Sequence, residues 1–212
     1  MSGFSVFELL LISLTAALGI AVKPVVYPLV RIITGPLMVP TGVLAGGIYM
    51  MFLVLACGMT RKRLSGTLTA TVQAFIVILT GIGSHGVMTF VTYILPGVAV
   101  DLAMLAFHWR RRNARPGMPA CFFGGMAANV TGSLLVGVAL FNIPAVPMLF
   151  ALSVAALSGG LGGILAYFIL KQIARLELLV NDGGDNGNNN GDNNDESDES
   201  GENNKNDYEN KK

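Results

Sequence analysis

Positive charge occurs at every second break between the long apolar runs of this chain. An Arg-Lys-Arg sequence at 61–63 follows the second run, Arg-Arg-Arg at 110–112 follows the fourth, and Lys171 with Arg175 follows the sixth. Because Lys and Arg near the ends of membrane helices stay on the cytoplasmic side, this alternation predicts an even number of spans with both termini inside. The chain is therefore predicted to be a multi-pass protein of the cell (plasma) membrane, embedded in the lipid bilayer.

The number and length of the apolar runs predict the fold class. A membrane-spanning helix needs about 20 mostly apolar residues. The chain supplies six such runs, at 4–22, 41–59, 66–81, 87–107, 119–141 and 147–170. We therefore predict an all-α, six-helix transmembrane bundle over residues 1–180. The first run lacks a basic leading region and a small-residue cleavage site, so we interpret it as the first helix and not as a secretion signal.

Charge divides the chain into two parts. Residues 1–180 contain 11 Lys and Arg against three acids, whereas residues 181–212 contain ten acids against three lysines. The second part consists mostly of Asn, Gly, Asp, Glu and Ser, so it cannot bury enough apolar surface to offset its ordering entropy. We predict a disordered, acidic cytoplasmic tail at 181–212.

The segment that follows the first run, residues 23–40, is interrupted by prolines at positions 24, 28, 36 and 40. Prolines break helices, yet most of the residues between them are apolar. We therefore expect this segment to form a non-helical lid over the outer mouth of the bundle, with a substrate site below it. The polar residues of the lid are candidate substrate ligands: Lys23, Tyr27, Arg31 and Thr34.

Further polar residues are predicted near the same level of the membrane. Those added to the substrate-binding candidates are Gln73, Ser84, His85, Tyr93 and Asn129. Polar side chains inside a membrane are costly and usually face a cavity or a neighbouring helix, so a helix–helix hydrogen bond is the alternative for Gln73 and Asn129. Asp101, in the inner half of the fourth run, is interpreted as a partner in an ion pair or a helix–helix hydrogen bond.

The motifs of several enzyme classes are absent from the sequence. No Gly-rich loop ends in Gly-Lys-Ser/Thr, so nucleotide hydrolysis by that route is excluded. Cys57 and Cys121 are isolated, and His85 and His108 are predicted on opposite sides of the membrane, which argues against a metal site. Paired acids or a Ser-His-Asp set at one depth, which an intramembrane enzyme would need, are also missing. We expect no catalytic residue, no cofactor, no metal site and no nucleic-acid partner.

Four features together resemble a known family. They are the six spans with both ends inside, the Ala-Leu-Gly-Ile-Ala sequence at 17–21 on helix 1, a long structured outer loop after helix 1, and the stretch from Ile-Thr-Gly-Pro-Leu at 33–37 to Gly-Gly at 46–47. This combination is similar to the substrate-binding S component of energy-coupling factor (ECF) transporters. The resemblance covers about residues 4–175 and excludes the acidic tail.

The resemblance implies a function for the chain. S components capture a vitamin or related small micronutrient, or in some cases a metal ion, in an outward pocket under the loop after helix 1. They then dock on a transmembrane coupling subunit driven by two ATPase subunits, and Ala17 and Ala21 would lie on the docking face of helix 1. The metal-transporting branch starts with Met-His, whereas this chain begins Met1-Ser2-Gly3, so we expect an organic substrate. A stand-alone secondary transporter of a small solute is the alternative.

Overall fold

The protein is all-helical in the computed structural model, which describes residues 4–36, 41–81, 86, 88–108, 115–139 and 144–188, with the backbone only at 108, 139 and 178–188. The helices are α1 (Val6–Thr34), α2 (Thr41–Thr60), α3 (Ser65–Thr80), α4 (Met88–His108), α5 (Met118–Ala139) and α6 (Ala145–Asn188). Each predicted apolar run corresponds to one of these helices, and the described residues contain no strand. The all-α fold class is therefore confirmed.

Helix length and composition identify a polytopic membrane protein. Among the described residues, five helices are long and apolar enough to cross a membrane, and α3 is the shorter apolar helix. α3 has 16 residues, which makes it about 24 Å long against a hydrocarbon core of about 30 Å. The cytoplasmic position of both termini and the identity of the membrane stay predictions.

The course of α1 corrects the prediction of a non-helical lid over residues 23–40. α1 continues through Pro24 and Pro28 to Thr34. The two prolines are four residues apart and both exposed, so their rings share the outer side of the helix. The residues around them are apolar, and a helix satisfies most backbone groups of such a segment in lipid even where a proline removes a hydrogen bond. Only 35–40 connect α1 to α2, and 37–40 lie outside the described residues.

The chain divides into two compact units, Met1–Gln172 and Ile173–Lys212. The first unit contains α1 to α5 and the larger part of α6. The second unit begins within α6, whose backbone stays helical to Asn188. Helix therefore extends eight residues into the segment predicted to be a disordered tail. The remainder of that segment, 189–212, lies outside the described residues, so the tail stays a prediction.

Glycines allow the backbones of α2, α5 and α6 to approach closely in the first unit. A Cβ atom on Gly162 of α6 would overlap the carbonyl group of Gly47 in α2. A Cβ atom on Gly125 of α5 would lie 2.9 Å from the backbone nitrogen of Gly163 in α6. Helices in hydrocarbon associate through van der Waals contact, and small residues allow the closest approach. These glycines therefore set the distances between the three helices.

Asp101 of α4 holds the first turn of α3. Its carboxylate accepts the backbone N–H of Gly66 at 3.0 Å, the backbone N–H of Thr67 at 2.7 Å and the hydroxyl of Thr67 at 2.6 Å. The first N–H groups of a helix have no intrahelical acceptor, and negative charge is favourable at that end. The structure thus confirms a helix–helix hydrogen bond, one of the two interpretations of Asp101.

Replacing Asp101 with alanine is expected to lower the free energy of unfolding by roughly 2–3 kcal/mol, because two partly buried N–H groups at the start of α3 lose their acceptor. Thermal unfolding of the detergent-purified protein measures this effect. Asp101→Asn keeps an acceptor oxygen without the charge, so its loss should be smaller than that of Asp101→Ala. An unchanged melting temperature in Asp101→Ala would contradict the capping role.

Candidate functional site

Lys23 lies on the side of α1 that packs against other helices. The buried residues of α1 are Ile12, Thr15, Ala16, Gly19, Ile20, Val30 and Thr34. Because residues three and four apart share a helix face, Lys23 continues this buried stripe one turn beyond Gly19 and about two turns before Val30. A lysine therefore occupies a packed position in a helix that is long and apolar enough to span a membrane.

The ammonium group of Lys23 contacts tyrosines from two other helices. It donates a hydrogen bond to the hydroxyl of Tyr93 in α4. It also lies 4.4 Å from the ring centroid of Tyr49 in α2 and 4.3 Å from the ring centroid of Tyr93. An ammonium within about 6 Å of an aromatic face is attracted by the ring quadrupole. We call Lys23, Tyr49 and Tyr93 the Lys23 cluster.

The Lys23 cluster lies toward the end of the bundle where α1 ends and α2 and α4 begin. Tyr49 is eight residues beyond the start of α2, and Tyr93 is five residues beyond the start of α4. These positions are about 12 Å and about 8 Å along the helix axes. In the predicted topology this end is the outer one. The structure thus brings together Lys23 and Tyr93, which are distant in sequence and were both predicted as site residues.

Two more predicted residues lie close to the cluster along α1. Tyr27, one turn beyond Lys23 on α1, is 45% exposed. Gln73 of α3 is buried beside Gly19, one turn before Lys23. A Cβ atom on Gly19 would lie 2.5 Å from Nε2 of Gln73. The missing side chain at Gly19 is therefore what allows the Gln73 amide to approach α1 at this level.

Other predicted site residues have different positions. The Thr34 and Thr41 hydroxyl oxygens are 3.1 Å apart, in a hydrogen bond between the end of α1 and the start of α2. Arg31 is exposed. Ser84 and His85 lie outside the described residues. Thr34 therefore closes the connection between two helices, and Arg31 is accessible near the same end of α1.

Asn129 links helices instead of joining the Lys23 cluster. Its Nδ2 donates to the carbonyl oxygens of Val43 in α2 and Ala155 in α6, both at 2.9 Å. The Asn129 side chain therefore uses both amide hydrogens, and the residue is 1% exposed. The structure therefore shows the helix–helix hydrogen bonds that were the alternative interpretation of Asn129, and a role as substrate ligand stays a prediction.

Tyr49 is absent from the sequence-based candidates. It lies in a long apolar run, where a tyrosine is usually part of the packing. Its hydroxyl donates to the carbonyl oxygen of Gly42 at 3.4 Å, while its ring faces Lys23. The sequence feature that could have identified Tyr49 is its depth in the membrane, since Tyr49 and Tyr93 are at similar distances from the starts of their helices.

Carboxylates in the first unit lie away from the Lys23 cluster. Glu8, near the start of α1, forms an ion pair with Lys62 at 2.5 Å. Asp101 bonds to the start of α3. Within the described part of the chain, no carboxylate forms an ion pair with Lys23, and no three His, Cys, Asp or Glu side chains are grouped to hold a metal ion. The cluster thus presents an ammonium group and aromatic rings.

The other side of α1 carries the predicted docking residues. Ala17 and Ala21 are both exposed, as are Leu14 and Leu18 beside them. Ala21 is two residues before Lys23, which is about 200° around the helix. A change at Ala21 therefore acts on a different face from the one that carries the Lys23 cluster.

Comparisons with known proteins agree with this architecture. The family model described as "ABC-type cobalt transport system, permease component" matches residues 8–131, which is more than half of the chain. A solved structure, "Crystal structure of an S-component of ECF transporter", has a TM-score of 0.64 at 20% sequence identity, and the alignment covers 84% of this chain and 89% of that one. No curated protein is significantly similar. The predicted resemblance to S components is confirmed at the level of the fold.

Proposed function

Because this chain belongs to the family of ABC-type cobalt transport system permease components, we propose that it is the membrane-embedded substrate-capture subunit of an ATP-driven ECF-type importer. The S-component fold supports this role. Its partners are a transmembrane coupling subunit and two ATPase subunits, which supply the nucleotide chemistry for which the chain has no Gly-Lys-Ser/Thr loop. The protein itself is a transport subunit and not an enzyme.

The Lys23 cluster is the observation that carries the assignment of a substrate site. It combines a cation and two aromatic rings from three helices in the outer half of the predicted bundle. Polar groups at such a depth are costly and usually serve a pathway or a ligand. We propose that the substrate binds here, with Tyr27 and Gln73 as further ligands.

The substrate class follows from the groups that the cluster presents. We propose a small organic micronutrient of vitamin size, because aromatic rings and a few convergent polar groups are typical of organic ligand sites. Cobalt, which the family description names, is the competing substrate. Divalent transition metals bind imidazole, thiolate and carboxylate ligands, whereas an ammonium group repels them.

Partner docking is proposed to use the exposed face of α1. The small residues Ala17 and Ala21 are four apart and share one side of the helix. Small residues allow a second helix to approach closely in a membrane, where no hydrophobic force drives helices together. We propose that the coupling subunit packs a helix on this face.

Native mass spectrometry of the protein, purified in mild detergent from its own host membrane, tests the proposed function. We expect a coupling subunit and two ATPase subunits to co-purify, together with a retained compound of vitamin size. Reconstitution of that assembly in proteoliposomes should give uptake that requires ATP inside and persists when ion gradients are collapsed.

Two results would contradict the proposal in different ways. Uptake by the isolated chain, driven by an ion gradient and independent of ATP, would establish the alternative of a secondary transporter. Retained cobalt in place of an organic compound would keep the importer assignment but replace its substrate.

A further inference from the structure

We infer that the connection between α2 and α3 binds an anionic phospholipid, with Arg61 and Arg63 on its phosphate and Leu64 against its acyl chains. The connection contacts Glu8 near the start of α1. Glu8 is 15 residues before Lys23, which is about 22 Å along the helix axis. The inference therefore concerns a second site, away from the Lys23 cluster, and does not depend on the proposed substrate.

The connection is too short to extend far from the membrane surface. Only residues 61–64 separate the end of α2 at Thr60 from the start of α3 at Ser65. α2 has 20 residues, so its length of about 30 Å equals the thickness of the hydrocarbon core. The connection therefore lies where the hydrocarbon ends and the phosphates of the headgroups begin. In the predicted topology this is the cytoplasmic leaflet, whose surface is negatively charged.

The three basic side chains of the connection have different environments. The Lys62 ammonium pairs with Oε2 of Glu8 at 2.5 Å and lies 5.3 Å from the ring centroid of Phe4. Arg61 and Arg63 are exposed, and in the part of the chain that the structure describes neither forms an ion pair. A guanidinium group binds two oxygens of a phosphate through paired N–H donors. One charge of the triplet thus ties the connection to α1, and two are available for a phosphate.

Leu64 adds an apolar surface next to the two arginines in the sequence. Its backbone has φ 68°, in the left-handed region that favours glycine, and its side chain is 61% exposed. The side chain therefore buries little apolar surface within the protein, whereas the acyl chain of a lipid bound at the arginines would cover it.

The start of α3 does not itself supply the phosphate site. The carboxylate of Asp101 already accepts the N–H groups of Gly66 and Thr67. Those groups are the ones that a phosphate at a helix start would use. The side chains of the connection therefore provide the binding groups, which makes the site sensitive to their substitution.

Thermal unfolding of the purified protein in dodecyl maltoside, an uncharged detergent, tests this inference. Dioleoyl phosphatidylglycerol supplies an anionic headgroup, and dioleoyl phosphatidylcholine supplies the same acyl chains without net charge. We expect phosphatidylglycerol to raise the melting temperature by about 5 °C, and phosphatidylcholine to have little effect. Inorganic phosphate should also have little effect, because it lacks the acyl chains that Leu64 contacts.

Charge-matched variants assign the effect to the connection. In Arg61→Gln/Arg63→Gln, the phosphatidylglycerol concentration that gives half of the shift should rise about 25-fold, because each basic residue near a lipid surface contributes about fivefold. Lys171→Gln/Arg175→Gln removes the same charge from the end of α6 that is also predicted to be cytoplasmic, and should keep the affinity of the wild type. The comparison of the lipids on the wild-type protein stands even if a variant fails to fold.

Leu64→Gly separates lipid binding from stability. The left-handed backbone at this position suits glycine, so the melting temperature without lipid should stay close to that of the wild type. The phosphatidylglycerol concentration for half of the shift should nevertheless rise, because the contact with the acyl chains is lost. A lower melting temperature without lipid, at unchanged lipid affinity, would overturn the role of Leu64 in the site.

The contrary outcomes are distinct. An equal shift with phosphatidylcholine would overturn the recognition of the headgroup, and an equal shift with inorganic phosphate would replace the lipid by a soluble anion. An undiminished shift in a folded Arg61→Gln/Arg63→Gln would overturn the role of the arginines. No shift with either lipid would overturn the proposal and leave the arginines to acidic groups of a protein partner.

Discussion

Ala21→Trp is expected to abolish substrate uptake while leaving substrate binding unchanged. Ala21 is exposed on α1, on the side away from the Lys23 cluster, so an indole there does not reach the proposed substrate site. Inserting a large ring between two closely packed helices costs roughly 3 kcal/mol or more, which weakens docking by more than about 100-fold. ATP-dependent uptake in proteoliposomes and equilibrium binding of the substrate to the isolated subunit measure the two effects separately.

A matched control for Ala21→Trp is Leu79→Trp. Leu79 of α3 is 84% exposed, so this change also places an indole at an exposed position, but on α3 instead of α1. Uptake by Leu79→Trp should be close to that of the wild type. Normal uptake by Ala21→Trp would show that the coupling subunit docks elsewhere. Loss of binding in Ala21→Trp would instead indicate that α1 has been distorted.

The fold could be predicted from the sequence because lipid leaves few choices for the backbone. Each apolar run must form a helix to satisfy its own N–H and C=O groups, so the runs locate all six helices. The prediction of a lid over residues 23–40 was wrong because prolines were expected to end the helix, as they usually do in soluble proteins. Pro24 and Pro28 lie inside α1 and share one exposed side, where their rings do not disturb the packing.

The candidate site could be predicted only in part. Lys23 and Tyr93 are conspicuous because charged or polar residues are rare in apolar runs. Tyr49 was not among the candidates, because a tyrosine in an apolar helix usually packs against its neighbours. Its place beside Lys23 depends on where α2 positions the ring. Asn129 shows the converse case, because a polar side chain predicted at the depth of the site can bond to neighbouring helices. Both residues depend on how the helices are rotated, which the runs alone do not determine.

Gly162→Ala, which adds one methyl group to α6, is expected to destabilise the first unit strongly. A Cβ atom at this position would overlap the carbonyl oxygen of Gly47 and lie 2.7 Å from its carbonyl carbon. An isolated helix is more stable with alanine than with glycine by about 1 kcal/mol, so helix propensity alone predicts that Gly162→Ala stabilises the protein. We expect the clash to exceed this gain, with a net loss of roughly 3 kcal/mol and a melting temperature lower by on the order of 10 °C.

Gly124→Ala on α5 is the control that separates contact from propensity. Its Cβ atom would meet the terminal methyl of Met104 at 3.2 Å and a methyl of Val54 at 3.7 Å, and the methionine can move. Thermal unfolding should therefore show Gly124→Ala to be neutral or slightly stabilised while Gly162→Ala is strongly destabilised. Equal melting temperatures would contradict the close approach of α2 and α6. Because Tyr49 is two residues beyond Gly47, any folded Gly162→Ala should also bind substrate more weakly, since displacing α2 moves the ring that faces Lys23.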